Sequence, residues 1–181
     1  MIYSEYPDFW YVLFVWTGYE KDALNRLAIL FNEQQAKPFL PTVEKNFKKQ
    51  GKTILEKQLM FPGYLFVETK LEGGEFYDLV HPVIRLSPNI IRVLGKGGTE
   101  SMMVTDGERK ALETILGQKR EIEISEGIIE GDHVKIIRGA LKGFESQIIK
   151  VNRHKQEAVI ELDILGAKRA VTVGLEIVEK V

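Results

Sequence analysis

The side chains most able to do chemistry are three histidines, His81, His133 and His154, and they stand far apart along the chain. Metal sites use His, Cys and carboxylates at short spacings, and this chain has no Cys. Disulfides and Cys-based zinc sites are therefore excluded. No Gly-x-Ser-x-Gly elbow, Walker A loop or Gly-x-Gly-x-x-Gly fingerprint occurs. Gly95-Lys96-Gly97-Gly98 has the composition of a phosphate loop, but no helix pattern opens directly behind it, so it reads as a turn. Glu161 and Asp163 alternate along a strand pattern and read as solvated. The sequence predicts neither an enzyme nor a cofactor or metal.

Binding chemistry is better represented. The net charge is −1, so contact with phosphates must come from local patches. One patch is EKNFKKQGKTILEK, with Lys45, Lys48, Lys49, Lys52 and Lys57 around a turn at Gly51. It reads as a hairpin with a basic tip. Its lysines read as a solvated tip that blunts an exposed strand edge. The other patch lies late in the chain: Lys135, Arg138, Lys142, Lys150, Arg153, His154, Lys155, Lys168 and Arg169. The acids Glu121, Glu123, Glu126 and Glu130 mostly precede it, so this region is more basic than the chain average. Ordinary solvated charges are the alternative for any one of these residues.

The third feature is MFPGYLFV, Met60 to Val67. Pro62 cannot donate a ladder hydrogen bond and Gly63 has no side chain to pack, so the pair predicts a turn leading into a strand. On that strand Tyr64 and Phe66 share one side, and Leu65 and Val67 the other. Both sides are apolar. One must face the core; the other is either covered by helices or left as a binding patch.

The elements that hold these residues follow from periodicity. FWYVLFVW reads as a buried strand and, at eight residues, is too short to span a bilayer, which takes about 20. MIYSEYPD has no basic leader region, so no signal peptide is expected and a cytoplasmic protein is. Ala23, Leu24, Leu27, Ala28, Leu30 and Phe31 predict a helix. A short helix is predicted from Glu75 to Val80, a strand from Ile90 to Leu94, and a helix opened by the capping box Thr105-Asp106-Gly107-Glu108. Beyond Gly131 short strands alternate with turns, as in a small β-barrel. The class is therefore α+β, divided into a domain over 1–117, a linker over 118–127 and a domain over 128–181.

Three stretches together resemble the NusG transcription elongation factors: FWYVLFVWTGYE, QLMFPGYLFV and GDHVKIIRGALKGFESQIIKV. The last is similar to a KOW motif, with Gly131, Val134, Ile136, Gly139 and Gly143 at its spacing. The resemblance implies an N-terminal NusG-type mixed sheet with flanking helices and a C-terminal SH3-like KOW β-barrel. It implies that the first domain binds the clamp helices of the largest catalytic subunit of RNA polymerase. The contacting aromatics would map onto Phe61 and Tyr64, with Tyr11 and Phe66 in the same pocket. Phe76-Tyr77 and the turn from Arg85 to Asn89 would approach the opposing polymerase subunit, and the basic hairpin would lie near upstream DNA or emerging RNA.

VNRHKQEAVIELDILG and GLEIVEK look like the LoaP branch of specialised paralogues, and Gly139-Ala140-Leu141 departs from the Gly-Pro-Phe of housekeeping members. That branch implies antitermination, with recruitment by a nascent RNA hairpin through the basic residues named above. A general elongation factor whose barrel binds Rho or a ribosomal protein is the rival reading, and a ribosome-associated KOW protein is another. A monomer without membrane contact is expected.

Overall fold

A computed structural model describes residues 8–32, 35–95 and 103–180. Most of the Gly95-Lys96-Gly97-Gly98 cluster lies outside the described residues. The chain divides into two compact units, one formed by Met1–Leu40 with Pro62–Arg109, the other by Pro41–Phe61 with Lys110–Val181.

In the first unit, β1 (Phe9–Val15), β2 (Ala36–Phe39), β5 (Tyr64–Thr69) and β6 (Ile90–Val93) form a sheet of order β2-β5-β1-β6. Its pairings are antiparallel. The central strand β1 is buried along most of its length, which explains its continuous apolar run. One face, carrying Tyr11, Leu13, Val15, Leu65 and Val67, packs in a core with Ala23 and Leu27 of α1 (Glu20–Leu30) and Phe76 and Val80 of α2 (Gly73–Leu86). Helix α2 continues past its predicted end through Pro82. Leu79, Val83 and Ile84 also pack on this core, and their burial offsets the roughly 3 kcal/mol that an interior proline costs.

Helix α3 (Asp106–Leu116) opens with the predicted capping box. The Thr105 N–H donates to Glu108 Oε2 at 2.9 Å, and the Glu108 N–H returns to Thr105 Oγ1 at 3.4 Å.

The second unit holds a five-stranded sheet of order β10-β11-β12-β8-β9. Its strands are β8 (Ser125–Glu130), β9 (His133–Arg138), β10 (Ile148–Asn152), β11 (Glu157–Ile164) and β12 (Ala167–Lys180). Strict alternation on β11 buries Ala158, Ile160, Leu162 and Ile164. In the loop after β9, Gly139 has φ +106, and a Cβ there would lie 2.6 Å from the Cα and the Oγ of Ser125. Only glycine admits this approach, which lets Ser125 Oγ accept the Leu141 N–H at 2.9 Å.

The same unit contains the basic hairpin, β3 (Thr42–Lys49) and β4 (Lys52–Leu59). Gln50 and Gly51 both have positive φ, as a two-residue hairpin turn of matching twist requires. The segment expected as a linker is not loose. Its β7 (Glu121–Ile122) pairs in parallel with β3 at Thr42 and Val43.

Candidate binding surfaces

Register decides which aromatics share a surface. Val12 stands opposite Phe66 and Phe14 opposite Tyr64, whereas Tyr11 stands opposite Val67. Tyr11 therefore belongs to the core face and cannot join Tyr64 and Phe66, as the resemblance implied it would. Its ring stacks on Phe76 at 3.9 Å, and its hydroxyl donates to the Leu71 carbonyl at 3.0 Å. Burial pushes its pKa up to about 12. The expectation for Phe66 changes as well: it is 1% exposed and packs against Trp10 and Phe39. Phe61 lies in the second unit and is 8% exposed. Phe76 is buried under Tyr11, so it too is a core residue rather than a partner contact. Tyr64 stays half-buried, set edge-on to half-buried Phe14 at 6.4 Å. Phe14, opposite Tyr64, is the aromatic that the register sets on this surface in place of Tyr11.

The Pro62-Gly63 turn holds this pair in place. Gly63 has φ +83, and its carbonyl accepts the Val15 N–H at 2.8 Å. Its own N–H donates to Glu20 Oε1, and the Gly18 N–H donates to Glu20 Oε2, each at 2.8 Å. Glu20, 3% exposed at the first turn of α1, thus ties the end of β1 to the start of β5. Anions are favoured at a helix N-terminus, which helps to offset the cost of burying this one.

The basic residues separate by their partners. Lys45 is almost buried and ion-paired with Glu157 at 3.5 Å, so it does not offer its charge to a phosphate as expected. Arg138 pairs with Glu126, Lys168 with Glu161 at 3.6 Å, and Lys135 approaches Glu130 at 3.9 Å. Arg169 is exposed on β12 and Lys142 on the loop after β9. Lys48, Lys49 and Lys52 crowd the exposed tip of the β3–β4 hairpin. Arg153, His154 and Lys155 form the exposed tip between β10 and β11, and no ion pair holds them among the described residues. Lys150, Arg153 and His154 line a shallow hollow of about 600 Å³ beside this tip.

A family model described as "Transcription termination factor nusG" matches residues 8–113, and a KOW motif matches residues 130–161. The chain belongs to the NusG family. A relative in Streptococcus pyogenes serotype M1, "Transcription termination/antitermination protein NusG", is 28% identical over 172 residues, covering 92% of each chain. The protein of the same name in Lactococcus lactis is 25% identical over 178 residues, 95% of this chain and 92% of the relative. That of Thermus thermophilus is 25% identical over 179 residues, 94% of this chain and 97% of the relative. NusG proteins are transcription factors and not enzymes. Among the described residues, no three His, Asp or Glu side chains converge on a metal geometry. No described helix is long and apolar enough to cross a membrane.

Within this NusG-type chain one more charge has a structural task. Glu121, 6% exposed, receives Lys57 Nζ at 2.8 Å and the Thr42 hydroxyl at 3.1 Å. Burial alone would raise its carboxyl pKa, but the hydrogen bonds from Lys57 and Thr42 and the charge of Lys57 outweigh it and hold the pKa below the ordinary value. This fastens β7 to the hairpin. An acidic residue in a region that reads as linker gave no sign in sequence of a strand pairing so distant along the chain.

Proposed function

We propose that this NusG-type chain is a processive antitermination factor of the LoaP kind. Its first unit binds the clamp helices of RNA polymerase, and its barrel is recruited by a hairpin in the nascent RNA. The observation that carries this reading is the tip Arg153-His154-Lys155, whose Arg153 and Lys155 are exposed and held in no ion pair among the described residues, whereas Lys135, Arg138 and Lys168 on the barrel are ion-paired. Phosphate binding needs cations in that state, and an RNA stem is read largely through shape and phosphates. Tyr64 and Phe14 supply the apolar contact for a helical tip. No covalent step is required. A factor that binds the elongating polymerase more tightly than the paused one shifts the balance tenfold for each ~1.4 kcal/mol of difference.

The test is a gel shift with the leader RNA of the chain's own operon. Binding to one hairpin, weakening with salt and absent for its scrambled version, is expected; equal binding to both refutes RNA recruitment. Tyr64→Ala and Phe14→Ala should each weaken polymerase binding by roughly 0.7–1.5 kcal/mol, half the worth of a fully buried aromatic because both rings are already half-buried, and leave RNA binding intact. Unchanged polymerase affinity in both would remove these rings from the interface.

A further inference from the structure

The two basic tips are about a hundred residues apart in sequence, yet the second unit joins them. Lys45 pairs with Glu157 at 3.5 Å, and Asn46 Nδ2 donates to Gln156 Oε1 at 3.2 Å. Gln156 and Glu157 directly follow the Arg153-His154-Lys155 tip. Beneath the clip, Gly174 of β12 lets β3 come close: a Cβ there would lie 2.6 Å from the Glu44 carbonyl oxygen. Gln156 is fixed from the barrel side as well, its carbonyl accepting the Leu175 N–H at 2.9 Å. Residue 46 is about 10 Å along the strand from Lys49, at 3.3–3.4 Å per residue. The β3–β4 tip and the β10–β11 tip therefore extend from a common point, each carrying exposed cations. Lys45 spends its charge on the clip instead.

We propose that these tips are the two halves of one phosphate-binding surface, which grips a base-paired RNA stem, and that Lys45–Glu157 and Asn46–Gln156 hold the halves in register. The inference rests on the reading that the barrel binds RNA, and it adds an element and a clip to that site. Separate tips would each offer a few phosphate contacts. Clipped together they present them without the ordering cost of bringing two mobile elements onto one ligand.

The probe is a fluorescein-labelled RNA stem-loop from the leader of the chain's own operon, titrated with the full-length protein. Changing Lys48, Lys49 and Lys52 together to Gln should weaken the same one-to-one complex that Arg153→Gln with Lys155→Gln weakens. Losing three phosphate contacts should also shrink the fall in affinity between about 50 and 200 mM salt by roughly 40-fold. Glu157→Gln is decisive for the clip. It makes the surface more positive, yet it should weaken binding, and the exchange Lys45→Glu with Glu157→Lys should restore it. Glu157→Gln binding at least as tightly as the native chain, or an exchange that restores nothing in a folded protein, overturns the clip. If the lysine-tip variant binds normally while the Arg153/Lys155 variant does not, the composite surface is wrong and RNA recruitment stands. If the native chain binds no stem at all, both fall together.

Discussion

Replacing Glu20 with Ala removes a buried carboxylate that accepts two backbone N–H groups, from Gly18 and Gly63, each at 2.8 Å. Hydrogen bonds to a charged partner are worth about 1.5–3 kcal/mol apiece, and both donors lose their acceptor. The expected loss is therefore about 3–6 kcal/mol, a large part of the ~5–15 kcal/mol that holds a domain together. Glu20→Gln should cost roughly half as much. Its single carbonyl satisfies one donor, while its amide NH2 confronts the other. The measurement is urea unfolding of the full chain followed by tryptophan fluorescence, with Lys21→Ala as an exposed control on the same helix turn. The turn that Glu20 pins also sets Tyr64 and Phe14, so Glu20→Gln should weaken polymerase binding beyond any effect of Lys21→Ala. If Glu20→Ala lowered stability by less than about 1 kcal/mol, these would not be charge-assisted bonds of ordinary strength, and the account of the Pro62-Gly63 turn would fail.

Gly139→Ala should destabilise the second unit by several kcal/mol, about 1–3 from the strained φ and the rest from displacing Ser125 and its bond to Leu141, read as a lower urea midpoint at unchanged slope. The fastening of β7 to β3 should depend on pH. Because the folded carboxyl of Glu121 has a depressed pKa, its contribution is complete above the unfolded value of 4.5 and disappears as pH falls through the lower folded value. Hydrogen exchange at the β7 amides should accelerate over that acid window, and Glu121→Gln should abolish the dependence. Tyr11 should ionise near pH 12, so Tyr11→Phe should remove a step near that pH from the phenolate absorbance titration.

Much of this molecule follows from local pattern. The apolar run of β1, the Thr105–Glu108 capping box, the hairpin around Gly51 and the alternation along β11 each arise from forces acting within a few residues, and each was legible before any coordinates. The family was legible for the same reason, since its motifs are short and contiguous. Parity narrowed the site without completing it. Tyr11 and Phe14 point to opposite faces of β1, and only the register, which sets Phe14 opposite Tyr64, decides that Phe14 and not Tyr11 shares that surface.

What tertiary structure alone decided were the pairings between distant segments. Glu20 with Gly63, Glu121 with Lys57, and Lys45 with Glu157 join residues whose spacing in sequence carries no signal. A lysine on a strand reads the same whether it meets water, a phosphate or a glutamate. Its charge acquires a purpose only when the fold brings the partner to it, because electrostatic attraction depends on distance in space and on exclusion of water, neither of which a linear pattern records.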